Sequence, residues 1–145
     1  RNNGFKDGLS KLNSDIIIIA NQTANWDPVQ AKAVTEDFIT TFGDKIDGLF
    51  SQDDNTAASA AEVFKDAGML PRVKIVGTGG SINGLAAIKD GLVYGTMNQS
   101  PSTDAKQGLS FAIDLANGKS LPEVRNIIPM PIITAENVSQ FKGEW

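Results

Sequence analysis

The sequence predicts an α/β fold built on a doubly wound, mostly parallel sheet. Three observations lead there. Short apolar runs alternate almost strictly with stretches of helical period, each of four runs spills into a polar cluster, and glycines or an Asp-Pro pair punctuate the joins. In a strand–helix repeat such polar ends collect along one edge of the sheet, where open α/β folds bind ligands. The four runs are Ile16–Ile19 leading to Asn21, Gln22 and Trp26; Leu49-Phe50 leading to Gln52, Asp53, Asp54 and Asn55; Val73–Val76 leading to Thr78, Gly79 and Ser81; and Val93–Met97 leading to Asn98, Gln99 and Ser100.

Taken in order, a helix over Asn2–Leu12 keeps Phe5, Leu9 and Leu12 on one face. Ile16–Ala20 is a continuous apolar run of the kind parallel sheets bury on both faces. Asp27-Pro28 supplies an N-cap and a proline at the first helical position, and that helix aligns Val34, Phe38 and Phe42 before stopping at Gly43. A strand over Gly48–Gln52 precedes a helix with Ala57, Ala60, Ala61 and Phe64 on one stripe and Gly68 as its left-handed terminator. Strand Val73–Val76, a helix from Ser81 to Asp90 closed by Gly91, and strand Leu92–Met97 follow. Ser100-Pro101 opens a helix with Leu109, Ala112, Ile113 and Ala116 expected inward. Pro129 and Pro131 interrupt the last apolar run, Ile127–Ile133, which reads as an edge or crossing segment. Ala135–Phe141 is expected to form a terminal helix.

Composition narrows the chemistry. The 145 residues fit one domain, and 41% hydrophobic with 21% charged residues is ordinary for a globular chain. A net charge of -4 without a Lys/Arg cluster argues against nucleic acid. The chain has no Cys and no His, which removes thiolate nucleophiles, Cys/His zinc sites and Ser–His–Asp catalysis together. No run approaches the length of a membrane span. Arg1 is not an initiator Met, so a removed leader or longer segment is compatible with the sequence.

Gly77–Gly84 follows a strand and opens a helix, the context of a phosphate loop. Ile82 stands where the dinucleotide fingerprint needs its third Gly, no Gly-Lys-Ser/Thr is present, and glycines here serve a tight strand-to-helix turn. Asp53 and Asp54 are adjacent, so they point different ways and are poorly placed to share a proton. One is expected to face the cleft, with Asp53 favoured for ligand hydrogen bonding, and the other to cap the next helix. Trp26 reads either as a core-edge aromatic or as a stacking platform for the C–H face of a sugar ring. Arg1 offers a fork of donors for vicinal hydroxyls, and Gln99 is an uncharged two-way hydrogen bonder.

In this order and spacing, Arg1-Asn2-Asn3-Gly4-Phe5, Leu49–Asp54, Val73–Gly77 and Gly91–Pro101 resemble the type I periplasmic sugar-binding proteins of ABC importers, of the ribose/galactose kind. The resemblance covers nearly the whole chain. It implies sugar contacts from Arg1, Asp53 and Gln99 and ring stacking by Trp26, with Asp54 and Gly79 as further candidates, no cofactor and no catalysis. At Gly79 this chain departs from ribose-type members, which carry Asp there; that points to another sugar or a polyol.

The resemblance further implies a periplasmic-binding-protein-like lobe incomplete without an N-terminal portion, which would supply the other lobe and a central strand. Residues 1–99 would be the partial C-terminal ligand-binding lobe, 100–130 a crossover segment on the missing N-terminal lobe, and 131–145 the return. The implied partners are a small sugar or polyol, a membrane permease and the missing lobe, at the periplasmic or extracellular face. The alternatives are the effector-binding core of a LacI-type transcription regulator, from which Gly79-Gly80 departs, and a Rossmann-like enzyme, weakened by the failed phosphate loops.

Overall fold

The computed structural model describes residues 2–121 and 127–145. Helix α1 spans Asn2–Lys11, α2 Pro28–Phe42, α3 Asp54–Asp66, α4 Ile82–Lys89 and α5 Pro101–Ala116. The strands are β1 (Gly48–Phe50), β2 (Lys74–Val76), β3 (Gly95–Met97) and β4 (Ile132–Thr134). They form one sheet in the order β1-β2-β3-β4, with β1, β2 and β3 parallel and β4 antiparallel to β3. The mostly parallel α/β class read from the sequence is the one observed.

Local chemistry sets the helix ends. Asp27 caps α2 through its Oδ1, which accepts from the N–H groups of Val29 (2.7 Å) and Gln30 (3.2 Å), and Pro28 fills the first helical position. Backbone hydrogen bonds from Gln30 and then Val29 hold the Asp27 carboxyl below its ordinary range. Gly68 (φ 70°) and Gly91 (φ 72°) take the left-handed conformation that ends α3 and α4. The stripe Ala57, Ala60, Ala61 and Phe64 is buried as expected, and Ala57, Ala61 and Phe64 pack with Val73, Ile75, Ile88 and Ile133 into the core. Helix α3 touches both α2 and α4, so its small alanines let three helices lie side by side.

Three expectations fail, each for want of a partner or of helical bonds. Ile16–Ala20 is no strand: no described residue pairs with it, and Ile16 and Ile17 are 63% and 80% exposed. Strand β1 pairs only with β2, leaving its other edge without a strand among the described residues. In α5, Leu109, Ala112, Ile113 and Ala116 face outward, and the helix buries none of its residues. Ala135–Phe141 gives only a short 3-10 turn at Val138–Gln140, stabilised where Asn137 caps back onto Thr134 and Ile132. The chain then runs on extended across the start of α4.

Candidate functional site

The ends of β1, β2 and β3 meet along one edge, and a buried carboxylate ties them together. Asp54 is 1% exposed; its Oδ1 accepts from Thr96 Oγ1 (2.6 Å) in β3 and its Oδ2 from the Ser81 N–H (2.8 Å) at the start of α4. Gly77 and Gly84 lie against this carboxyl, and a Cβ at either would run into it. The glycine-rich segment Gly77–Gly84 is therefore a tight strand-to-helix turn shaped around Asp54, with Ser81 Oγ capping α4 through the Gly84 N–H. Asp54, one of the further ligand candidates, is instead internal: both oxygens are satisfied by the protein.

Asp53 does the capping. It is 5% exposed, and its Oδ2 accepts the Thr56 N–H at 2.9 Å. Its Oδ1 has no hydrogen-bond partner among the described residues. The expectation that one of the pair caps and the other faces a cleft is met only in its first half, because the capping residue is the one favoured as a ligand.

Gln99 joins the edge through its backbone, its N–H donating to Gly79 O at 2.9 Å, while its Nε2 lies 3.4 Å from Asp104 Oδ2. Gly79 (φ 145°) also bonds Met97 O, and it continues the β2–β3 pairing beyond the strands. Beside it, the segment Ile128–Pro131 and the start of α5 enclose a hollow of about 210 Å³, floored by Asn98 and Ser100. The Asn98 N–H donates to Pro131 O (2.9 Å), so the two segments leaving the sheet here run side by side.

Trp26 stands apart from the core. It is 64% exposed at φ 62°, following Asn25 at φ 50°. Asn tolerates this region; for a bulky residue it is an outlier of the kind that gathers at functional sites. The turn is pinned by Asp27 N–H to Ala24 O (2.8 Å) and by Asn25 Nδ2 to Gln30 Oε1 (2.9 Å). The core-edge reading of Trp26 does not hold. Arg1 lies outside the described residues.

Two residues escaped the sequence reading. Glu144 accepts from Ser100 Oγ (2.7 Å), the Ser102 N–H (2.9 Å) and Ser102 Oγ (3.0 Å), strapping the C-terminal segment to the start of α5. The Ser102 backbone bond first, then the serine hydroxyls, hold its carboxyl below the ordinary value. Trp145 sits over Gly79, and the bare glycine at a strand end was the one signal that something else fills that place.

A mostly parallel sheet with a polar carboxyl edge is the arrangement at which open α/β folds bind ligands. Residues 1–120 match the periplasmic binding protein domain, and the chain belongs to that family. It is 35% identical over 138 residues to a xylitol-binding protein of Mycolicibacterium smegmatis, covering 95% of this chain and 39% of that protein. A ribose import binding protein of Haemophilus influenzae is 30% identical over 83% of this chain and 40% of its own length. Among solved structures, a periplasmic solute-binding protein of an ABC transporter from Actinobacillus succinogenes 130z, with bound D-allose, superposes with a TM-score of 0.77 at 28% identity, over 88% of this chain and 44% of that one. The chain thus spans about two fifths of the length of these relatives. They are binding proteins rather than enzymes, and they lend no support to the regulator reading. Among the described residues no helix is long and apolar enough to cross a membrane.

Proposed function

We propose that this chain is the ligand-binding lobe of an ABC-importer solute-binding protein. The protein closes on a monosaccharide or sugar alcohol and delivers it to a membrane permease from the periplasmic or outer face. The observation that carries this is Trp26: an indole two-thirds exposed, fixed by a left-handed backbone and a capped helix start, in a chain of the periplasmic binding protein family. A rigid, outward indole stacks on the C–H face of a sugar ring or polyol chain. Asp53, through Oδ1, together with Gln99 and Arg1, would meet the hydroxyls.

The names of the relatives favour this ligand class, with xylitol, ribose and D-allose represented among them. The two exposed apolar surfaces, Ile16–Ile19 and the outer face of α5, would be covered in the whole protein. A strand beside β1 would take the first, and a second lobe would take the crossover segment 100–130, with 131–145 returning to this lobe. Closure would hinge at Gln99–Pro101 and Ile127–Pro131, the neighbouring segments that leave the sheet.

The test is calorimetric titration of the full-length protein with pentoses, hexoses and polyols, xylitol, D-ribose and D-allose included. Binding of at least one at micromolar Kd or tighter is expected. No heat from any of them at millimolar concentration would refute the reading.

A further inference from the structure

The segment after Val138–Gln140 ends on the ligand edge in a fixed pose. Gly143 lies so close to α4 that a Cβ there would come within 2.6 Å of the Ile82 nitrogen. The Ile82 N–H donates to Trp145 O at 2.9 Å, and Glu144 is held by Ser100 and Ser102 on the other side. Between these ties the Trp145 indole settles over Gly79: a Cβ on Gly79 would lie 2.6 Å from its Cζ2 and 3.1 Å from its Cη2. The ring thus fills the volume that a side chain at the end of β2 would enter. It remains 46% exposed, and Gly79 O is the acceptor for the Gln99 N–H. The nearest carboxyl, that of Asp54, is buried and fully bonded to Thr96 and Ser81.

We propose that Trp145 is a specificity-determining residue of the ligand site: at the end of β2 it offers aromatic carbon in place of a hydrogen-bonding side chain. The site therefore favours sugars or polyols that turn a C–H face or a deoxygenated carbon toward that point. A hydroxyl directed there would lose its water and find no acceptor, which disfavours it. The ring and Gly79 act as a pair, since any side chain at 79 displaces the indole. This rests on the solute-binding reading above.

The experiment titrates the full-length protein calorimetrically with D-galactose, its 6-deoxy counterpart D-fucose, D-ribose and xylitol. The variants are Trp145→Ala, Trp145→Leu and Gly79→Ala, alone and with Trp145→Ala. Wild type is expected to bind some of the panel. Trp145→Ala should weaken the preferred ligand about tenfold or more and narrow the ratio of affinities between the deoxy sugar and its parent. Trp145→Leu, which still covers Gly79 with apolar carbon, should keep the thermal midpoint and the order of ligands but weaken the preferred one about threefold or more by losing the flat ring face, so a fold defect in the Ala variant leaves the proposal testable. Gly79→Ala, which also strains the backbone at φ 145°, should lose the same discrimination as Trp145→Ala, and the double variant should be no worse in discrimination than the worse single one. Affinities within twofold of wild type in both Trp145 variants, with the order of ligands unchanged, overturn the role of Trp145 while leaving solute binding intact. A wild type that binds none of the panel and none of the other pentoses, hexoses and polyols titrated above overturns both.

Discussion

Two regions of this lobe contrast sharply. At the carboxyl edge of the sheet the chain satisfies itself: Asp54, Thr96, Ser81 and three glycines interlock, and among the described residues no fully buried side-chain nitrogen or oxygen lacks a hydrogen-bond partner. Along Ile16–Ile19 and the outer face of α5 it does the reverse and exposes large aliphatic side chains, with Ile17 at 80% and Leu109 at 63%. Contiguous apolar surface of this sort marks an interface. The difference teaches that the carboxyl edge is ordered by contacts within these 145 residues, whereas the apolar surfaces beside it are left exposed by the described residues.

The largest expected effect breaks the first region. Asp54→Ala leaves the Ser81 N–H and Thr96 hydroxyl without their charged acceptor, each bond worth about 1.5–3 kcal/mol, and should destabilise the full-length protein by about 3–5 kcal/mol in urea titration. Gly84→Ala attacks the same contact from the other side and should cost about 1–3 kcal/mol by overpacking. Because a smaller residue at 54 clears the space, the two changes together should cost less than their sum. Strict additivity would mean that the glycine is not shaped around the carboxyl.

The second region is probed by Leu109→Glu and Ile113→Glu on α5. If that face is covered in the whole protein, each change buries a charge and should cost about 2–4 kcal/mol. If it stays in water, each should fall within about 0.5 kcal/mol of wild type. This pair separates an interface from an idle apolar stripe, and the first outcome is the one expected.

Smaller than either is the effect of Trp26→Ala. It should weaken sugar or polyol binding about tenfold, equivalent to about 1.4 kcal/mol, and leave the urea midpoint unchanged, because the indole lies outside the core. Unchanged affinity by calorimetry would remove the stacking role and return Trp26 to an ordinary turn residue.

What the sequence revealed of all this followed from how local each feature is. Asp27-Pro28, the Ala57–Phe64 stripe and the glycines at 68 and 91 are set by neighbours within a few residues, and each stands where the pattern put it. Ile16–Ala20 has the composition of a strand, but a strand exists only with a partner to pair with. The α5 stripe has helical period, which says that one side is apolar and not what lies against it. The Asp53-Asp54 pair was visible as important, while its division of labour was hidden: the partners of Asp54 are 27 and 42 residues away. Glu144 and Trp145 lie in no motif, and only Gly79, bare at a strand end, hinted that another residue takes that space.

The smallest expected effect concerns Glu144, whose carboxyl fastens the strap that carries Trp145. Its hydrogen bonds from Ser102 and Ser100 lower its pKa in the folded state. A depressed carboxylate contributes stability that is fully present above its unfolded value, about 4.3, and is lost as pH falls through the lower folded value. Glu144→Gln removes that contribution, so the thermal midpoint should fall at pH 7 by less than about 2 °C, and wild type and variant should converge as the pH falls through the lowered folded value. The carboxylate is exposed, so its ionic part is also screened by salt. The more telling readout is ligand discrimination. If the strap holds the indole over Gly79, loosening it should narrow the preference between D-fucose and D-galactose at pH 7 without touching any proposed ligand contact. A variant whose midpoint shifts while its discrimination stays constant would show that the strap serves stability alone, and that Trp145 is held in place by its packing on Gly79 and the Ile82 bond.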